Sequence, residues 1–147
     1  MNIRTAKQND CAEIVRLLRA DALPVEGVDD NLDNFLLLEE GDEIIGCVGL
    51  EFYDKVGLLR SLAVTQNRRG NGYGKRLTEA VLNLAGNKNI ETLYLLTETA
   101  EKFFEKFGFS PIHREHAGSA IKQSSEFKYL CPDTAVLMIK NRAIQDH

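Results

Sequence analysis

A glycine-rich stretch in the middle of the chain constrains the fold more than any other feature. Residues 68–75 read Arg-Arg-Gly-Asn-Gly-Tyr-Gly-Lys, after an apolar run at 57–64 and before an amphipathic segment at 77–84. This order predicts a strand, a glycine loop and a helix. Glycine lets the backbone approach a bulky anion closely, and a helix N-terminus offers unpaired N–H groups and a positive dipole end. The unit therefore favours binding of a pyrophosphate.

Two common nucleotide motifs do not fit this stretch. A dinucleotide fingerprint needs G-x-G-x-x-G, whereas the glycines here fall at every second position. The phosphate loop G-x-x-x-x-G-K-[ST] also fails, because no glycine stands five positions after Gly70 and Arg76 follows Lys75. The sequence thus excludes both familiar nucleotide-binding patterns.

The stretch does match R-x-x-G-x-G, with Arg69, Gly72 and Gly74 at the fixed positions. This pattern resembles the coenzyme A loop of the GNAT superfamily of acetyl-CoA-dependent N-acetyltransferases. The segment 100–109, Ala-Glu-Lys-Phe-Phe-Glu-Lys-Phe-Gly-Phe, is similar to that family's helix pattern A-x-x-[FL]-Y-x-x-x-G-F. The resemblance implies acetyl-CoA as co-substrate, bound by Leu62, Ala63, Val64, Arg69, Gly70, Asn71, Gly72, Tyr73, Gly74, Lys75 and Phe104.

Each motif alone also has a purely structural interpretation. Glycine turns between a strand and a helix are common in α/β domains. Phe103, Phe104 and Phe107 have helical spacing and would ordinarily be core residues, with Gly108 ending the helix. The two motifs in this order together favour the cofactor interpretation.

Hydrophobic patterning predicts the element order β-α-β-β-β-α-β-α-β-β over the whole chain. Predicted strands cover 3–5, 35–39, 44–52, 57–64, 92–97, 109–113 and 135–139. The first helix is expected after a cap at Asp10, with Ile14, Leu17 and Leu18 on its apolar face. Short turns join the second, third and fourth strands, which should therefore be antiparallel. We expect an α/β (α+β) GNAT fold, a mixed, largely antiparallel sheet of about six to seven strands with about four helices.

Length and composition fit one soluble domain. The chain has 147 residues, 44% of them hydrophobic, and no obvious linker, which predicts a single domain over 1–147. A net charge of −4 argues against a nucleic-acid surface, although Arg68, Arg69, Lys75 and Arg76 form a local basic cluster. Charged residues throughout the first twenty positions and the lack of a long apolar stretch predict a cytoplasmic protein without membrane association.

The cysteines do not suggest a metal site or a redox motif. Cys11, Cys47 and Cys131 are odd in number and scattered, so we expect reduced, structural thiols. No metal is implied. Residue patterning does not fix the oligomeric state, and either a monomer or a homodimer is compatible with it.

Proton transfer is where the sequence departs from the family it resembles. The position of the family's tyrosine acid is Phe104, that of its asparagine is Thr97, and that of the glutamate used by some members is Leu58. Phenylalanine has no ionisable proton. Either water carries the protons, or a carboxylate elsewhere does, and Glu51 and Glu98 are the candidate bases.

Arg60 interrupts the apolar run and is a candidate substrate-binding residue with Ser61 and Thr97. Strand alternation places Arg60 on the same face as Leu62 and Val64. Its guanidinium could pair with an internal carboxylate or hold an anionic substrate, and we favour the substrate role.

A closer resemblance narrows the acceptor. Residues 93–104 resemble the acetyltransferase domain of N-acetylglutamate synthases. The run 57–64, with Thr97-Glu98-Thr99-Ala100 and the late Ser125-Glu126-Phe127 and Cys131-Pro132, resembles short acetyltransferases associated with arsenic resistance. Both imply a small-molecule amine, such as an amino acid or an arsenic- or phosphorus-containing analogue. The alternatives are a peptide or protein N-acetyltransferase and a non-catalytic acyl-CoA sensor.

The long stretch 114–134 has no regular pattern. It is expected to be either a solvated connection or a substrate lid, with polar groups that could select the amine. Those groups are Arg114, His116, Lys122, Ser124, Ser125 and Glu126, with His113 directly before the stretch.

Overall fold

The computed structural model describes residues 1–117, 119–122 and 135–141, which contain seven strands and four helices. The strands are β1 Asn2–Thr5, β2 Phe35–Glu40, β3 Glu43–Tyr53, β4 Val56–Val64, β5 Thr92–Thr97, β6 Ser110–Ile112 and β7 Val136–Asn141. The helices are α1 Cys11–Ala20, α2 Tyr73–Asn87, α3 Glu101–Glu105 and α4 Ser119–Lys122. Helix α4 lies inside the stretch predicted to be irregular.

All seven strands form one sheet in the order β1-β2-β3-β4-β5-β7-β6. Every neighbouring pair is antiparallel except β4 and β5, which are parallel. The predicted mixed, largely antiparallel sheet is therefore confirmed. The β4–β5 ladder is short, and runs only from Val56 opposite Thr92 to Leu58 opposite Tyr94. Beyond Leu58 the two strands diverge.

Apolar clusters cover both faces of the sheet. On one face, Leu77, Val81 and Ala85 of α2 pack with Phe104 of α3 against β2 to β5 and β7. On the other face there are two separate clusters. One is formed around α1, and the second joins Leu58, Tyr94 and Leu137 to the region of α4.

Helix α1 follows its predicted pattern. Ile14, Leu17 and Leu18 are all buried, as the spacing i, i+3, i+4 requires of an apolar stripe. Asp10 occupies the N-cap position of the helix as predicted, but its side chain makes no capping hydrogen bond there. Its carboxylate instead accepts hydrogen bonds from Lys7 N at 2.7 Å and from the Arg4 guanidinium at 2.8 and 3.0 Å. A 3₁₀ turn at Gln8–Asp10 directs the carboxylate backwards.

Helix α3 is shorter than predicted. It ends at Glu105, and Gly108 then adopts φ +93° while Phe109 N donates to Phe104 O at 3.3 Å. This left-handed glycine confirms the predicted stop at Gly108. The Phe104 ring is buried and makes edge-to-face contacts with Phe103 and Phe109.

A β-bulge in β4 overturns the predicted alternation. Gly49 faces Arg60 and Cys47 faces Ala63, so Ser61 and Leu62 together oppose one residue of β3. Ser61 has φ +62°, in the left-handed region. One extra residue reverses the side-chain direction along the strand. Arg60 therefore does not share a face with Leu62 and Val64, which pack with α2 instead.

Candidate active site

The gap between the diverging halves of β4 and β5 opens into a cleft of about 630 Å³. This volume is in the range of small-molecule sites, roughly 300–1,000 Å³. The described residues that line it are Ala20, Asp21, Ala22, Leu23, Leu59, Arg60, Ser61, Leu62, Arg69, Leu95, Leu96, Thr97, Glu98, Thr99, Ala100, Phe104 and Ala135. Six predicted site residues meet here with Arg69 of the glycine loop: Arg60, Ser61, Leu62, Thr97, Glu98 and Phe104.

The glycine loop connects this cleft to the N-terminus of α2. After β4 ends at Val64, a 3₁₀ turn at Gln66–Arg68 leads to Gly70 with φ +85° and Gly72 with φ +79°. A side chain at either glycine would meet open space, so backbone conformation rather than crowding favours glycine there. Asn71 steadies the loop, because its Nδ2 donates to Arg68 O at 3.0 Å.

The first turn of α2 fits a bound anion. Gly72 occupies the N-cap position, and no side chain caps the helix. The leading N–H groups of a helix have no partner within the helix and carry its positive dipole end. Gly74 follows with Tyr73 and Lys75 in this turn, and a Cβ at Gly74 would meet only Phe103, at 3.8 Å. A pyrophosphate is the group that this arrangement suits.

The basic cluster is partly engaged in ion pairs. Arg68 binds Glu40 at 2.6 Å, and Arg69 binds the carboxylate of Asp21. Arg69 Nε also donates to Val64 O at 3.2 Å. Lys75 is exposed at the loop. Two of the four predicted cations thus hold neighbouring segments together.

Arg60 is buried in an internal network. Its side chain is 0% exposed, and its Nη1 binds Glu51 Oε2 at 2.6 Å. The same guanidinium donates to Ser61 Oγ at 2.8 Å, Glu26 O at 2.6 Å and Pro24 O at 3.2 Å. The sequence left two roles open for Arg60, an ion pair with an internal carboxylate and a contact with the substrate. The geometry favours the internal ion pair.

Glu51 has both carboxylate oxygens engaged. One oxygen accepts from Arg60, and the other accepts from the Tyr53 hydroxyl. Burial, followed by the hydrogen bond to Glu51, raises the pKa of Tyr53 above its usual value. A carboxylate held by a guanidinium and a hydroxyl is poorly placed to accept a proton from a substrate amine. This weakens the case for Glu51 as a base.

Three further predicted residues, Glu98, Thr97 and Phe104, line the cleft in different environments. Glu98 is exposed and lines the cleft. Thr97 Oγ1 accepts a hydrogen bond from Ala100 N at 3.0 Å, so its hydroxyl holds the turn into α3. The Phe104 ring lies in the wall of the cleft, at the position where the resembled family has its acid.

Sequence reasoning missed the cleft wall formed by Ala20–Leu23. The C-terminal end of α1 carries no motif. Its only sequence signal is a charged residue, Asp21, at the end of an amphipathic helix. A second omission is Tyr53, whose role follows only from contact with Glu51.

The predicted lid is described in part. The rings of His113 and His116 are 6.0 Å apart, and Arg114 Nη2 donates to Ala135 O at 2.9 Å. Ser124, Ser125, Glu126 and Cys131 lie outside the described residues.

Two of the three cysteines lie among the described residues. Cys11 and Cys47 are free thiols, and burial raises the pKa of Cys47 to about 12. Within 1–117, 119–122 and 135–141, no group of three or more His, Cys, Asp or Glu side chains is arranged to hold a metal. No helix in the described part of the chain has the length and apolar character to cross a membrane.

A parallel strand pair opens beside an uncapped helix that begins after a glycine, an arrangement that suits a phosphate-bearing ligand. Residues 31–111, more than half of the chain, match the family described as Acetyltransferase (GNAT) domain. The chain therefore belongs to the GNAT acetyltransferase family.

Curated relatives and solved structures agree with this family. The chain is 26% identical over 122 residues to an uncharacterized N-acetyltransferase, CT2212, of Chlorobaculum tepidum, covering 78% of each. It is 34% identical over 116 residues to the amino-acid acetyltransferase of Ralstonia nicotianae, covering 73% of this chain and 26% of that protein. The chain thus spans about a quarter of the length of that relative.

Two solved structures share the fold. Rv2747 of Mycobacterium tuberculosis, in complex with CoA and NLQ, aligns with TM-score 0.80 and 20% identity over 96% of this chain and 99% of that one. N-acetylglutamate synthase of Neisseria gonorrhoeae, complexed with coenzyme A and N-acetyl-glutamate, aligns with TM-score 0.80 and 20% identity over 95% of this chain and 34% of that one.

Proposed function

We propose that this protein transfers acetyl from acetyl-CoA to the amino group of a small amino acid or amino-acid analogue. The amine attacks the thioester directly while both substrates are bound. The observation that carries the proposal is the cleft between β4 and β5, whose lining includes Arg69 of the glycine loop that leads into the uncapped N-terminus of α2. The glycine loop at one end of the cleft suits a pyrophosphate. The other end admits a small molecule beside Arg60 and Glu98.

The cofactor half of the site acts mainly through backbone. In this proposal the amides of Arg69, Gly70, Gly72, Gly74 and Lys75 hold the pyrophosphate. The amide near Leu62 stabilises the acetyl oxygen, where negative charge develops as the amine attacks. Holding the two reactants together in one cleft supplies most of the remaining rate acceleration.

Proton removal falls to Glu98 or to water. The acceptor amine must be neutral when it attacks, and Glu98 is an exposed carboxylate in the cleft wall. Glu51 is a weaker candidate because Arg60 and Tyr53 occupy its oxygens. Phe104 cannot protonate the leaving thiolate, so solvent does so in this proposal.

The acceptor class rests on the relatives. Several relatives are named amino-acid acetyltransferase, and one of these is 34% identical to this chain. Arg60 lines the cleft, but its guanidinium is buried and paired with Glu51, so it adds little support. In this proposal the acceptor is an amine that also bears a carboxylate or an arsenic- or phosphorus-containing acid.

Acetyl-CoA turnover, followed by thiol release, tests the proposal. The panel comprises free amino acids, phosphinothricin-like and arsenic-containing analogues, polyamines and basic peptides. We expect turnover with acidic amino acids or their analogues and little with polyamines. Turnover confined to basic peptides would replace the small-molecule acceptor with a peptide.

The non-catalytic alternative remains a defined outcome of the same panel. It is favoured by one observation, the phenylalanine at position 104 in the cleft wall. Tight CoA binding, measured by calorimetry, with no thiol release for any amine would assign the protein as an acyl-CoA sensor.

A further inference from the structure

We propose that Asp21 is a positioning residue that couples the cofactor loop to the acceptor side of the cleft through Arg69. The coupled element is the segment 21–26, called the wall segment below. This inference rests on the proposed function, because it concerns how the same cleft receives its two substrates. Asp21 does not touch the reacting atoms in this proposal, and it acts through Arg69.

The ion pair joins two segments that are distant in sequence. Asp21 directly follows the last residue of α1, and its carboxylate binds the guanidinium of Arg69, the residue before Gly70. Arg69 is fixed from a second side by Val64 O at 3.2 Å. Asp21 and Arg69 both line the cleft. The pair therefore bridges the cleft wall and the start of the glycine loop.

The location of Asp21 argues for a specific role. A carboxylate at the C-terminal end of a helix lies at the negative end of the helix dipole, which is unfavourable. The side chain of Asp21 is 22% exposed and that of Arg69 is 51% exposed, so solvent screens the pair in part. The guanidinium of Arg69 offsets the unfavourable interaction of Asp21 with the helix dipole. Helix stability alone would favour a neutral or basic residue at this position.

The backbone of Ala22, the residue after Asp21, is strained. The ion pair between Asp21 and Arg69 helps to maintain this conformation. Ala22 has φ +55°, a conformation that usually requires glycine. Ala22 N donates to Arg19 O at 3.1 Å and Leu23 N donates to Leu18 O at 2.9 Å, which forms a helix-ending motif with alanine in the glycine position. Such strain persists only where the surroundings fix the chain on both sides.

Arg60 holds the C-terminal end of the wall segment. Its guanidinium donates to Pro24 O at 3.2 Å and to Glu26 O at 2.6 Å. The wall segment is thus held at its start by Arg69 of the cofactor loop and at its end by Arg60 of β4. Both arginines flank the part of the chain that would contact the cofactor. A cofactor that orders the glycine loop should therefore also order the wall segment.

Coupling of this kind is reciprocal. If bound CoA raises the affinity for the acceptor, the acceptor raises the affinity for CoA by the same factor. Loss of the Asp21 charge should reduce this factor by about fivefold, within the usual range for coupled sites. The intrinsic affinity for CoA should change little, because the amides of the glycine loop remain.

The test compares Asp21→Asn with Glu40→Gln. Each change removes one carboxylate charge without changing size, and each breaks an ion pair to an arginine just before Gly70. Glu40 pairs with Arg68 at 2.6 Å on the β2 side of the loop, and neither residue is among those that line the cleft. Two quantities are measured: the acceptor KM at saturating acetyl-CoA, and amide hydrogen exchange of the wall segment with and without CoA.

We expect CoA to slow exchange of the wall segment in the wild type and in Glu40→Gln, and to have little effect in Asp21→Asn. The acceptor KM of Asp21→Asn should rise about fivefold with kcat nearly unchanged. Equal protection by CoA in Asp21→Asn and in the wild type would overturn the inference. If no amine is turned over by the wild type, the proposed function fails, while the exchange measurement still decides the role of Asp21.

Discussion

Arg60 and Glu51 form a buried ion pair beside the cleft. Their side chains are 0% and 3% exposed, and the Nη1 to Oε2 distance is 2.6 Å. The apolar residues on the same face of the sheet form two clusters, one around α1 and one near α4. A charge left alone in such surroundings is costly, whereas the intact pair contributes little net stability. The pair therefore defines local geometry more than it stabilises the fold.

This leads to a prediction for Glu51→Gln. The change leaves the Arg60 charge buried without its carboxylate partner, so the free energy of unfolding should fall by about 3 kcal/mol. Urea denaturation followed by circular dichroism measures it. Glu13→Gln is the control, because Glu13 and Arg16 form an exposed ion pair at 2.9 Å, worth less than about 0.5 kcal/mol. A loss for Glu51→Gln as small as the control's would show that solvent reaches Arg60.

At the scale of elements, the glycine loop and α2 form one unit whose geometry suits an anion. Strand β4 directs the chain into the loop, and Gly70 and Gly72 adopt left-handed backbone conformations there. Helix α2 then begins without a capping side chain. The three glycines do not have equal roles. Gly72 is left-handed, whereas Gly74 lies inside the helix.

Alanine substitution separates these roles. Gly72→Ala forces a Cβ into a left-handed backbone and should lower the free energy of unfolding by roughly 1 kcal/mol. It should also weaken CoA binding at least tenfold, because the loop amides lose their alignment. Gly74→Ala should keep or slightly raise stability, since alanine favours the helix. Calorimetric titration with CoA and thermal unfolding measure both effects; equal CoA affinity in Gly72→Ala and the wild type would contradict the assigned loop geometry.

The junction of β1 and α1 is a second element with a measurable signature. Hydrogen bonds from the Arg4 guanidinium, supported by Lys7 N, hold the pKa of Asp10 below its usual value, although burial opposes this. The charged form is therefore preferred in the folded state. Its stabilising contribution is complete above the unfolded pKa, about 3.9, and is lost as the pH falls through the lower folded value.

We therefore expect a pH-dependent difference between the wild type and Asp10→Asn. The difference in free energy of unfolding should be largest above about pH 5 and should shrink as the pH falls below about 4. Urea denaturation at several pH values measures this. A difference that stays constant over the range would mean that Asp10 titrates alike in both states.

At the scale of the whole molecule, the division of the sheet between β4 and β5 is the central feature. Only three residue pairs connect these strands, from Val56 with Thr92 to Leu58 with Tyr94. Past that point β5 continues its pairing with β7 up to Thr97 opposite Val136. The inner edges of β4 and β5 therefore face a cleft rather than each other. Backbone groups there are available to a bound molecule.

Hydrogen exchange should report this opening. CoA whose pantetheine arm enters the cleft should slow amide exchange in 59–64 and 95–97, and leave β1 and β2 unchanged. Mass spectrometry of exchanged peptides, with and without CoA, measures it on the scale of seconds to hours. Protection confined to the glycine loop would mean that the arm binds elsewhere.

The sequence by itself determined the parts that depend on local pattern. Strands β2 to β5 fall within one residue of their predicted bounds, because turn residues and apolar runs mark them directly. The glycine loop could be predicted because its motif is contiguous, and the stop at Gly108 because a left-handed glycine ends many helices. These features need only neighbours along the chain.

The tertiary structure alone decided the features that depend on distant contacts. The bulge at Ser61 arises from the register between β3 and β4, and it reversed the predicted face of Arg60 relative to Leu62. Glu51 became the partner of Arg60 only through that pairing, and Asp21 meets Arg69 across 48 positions of sequence. Strand register and the packing of separate elements place such groups together, and no periodicity in one segment encodes them.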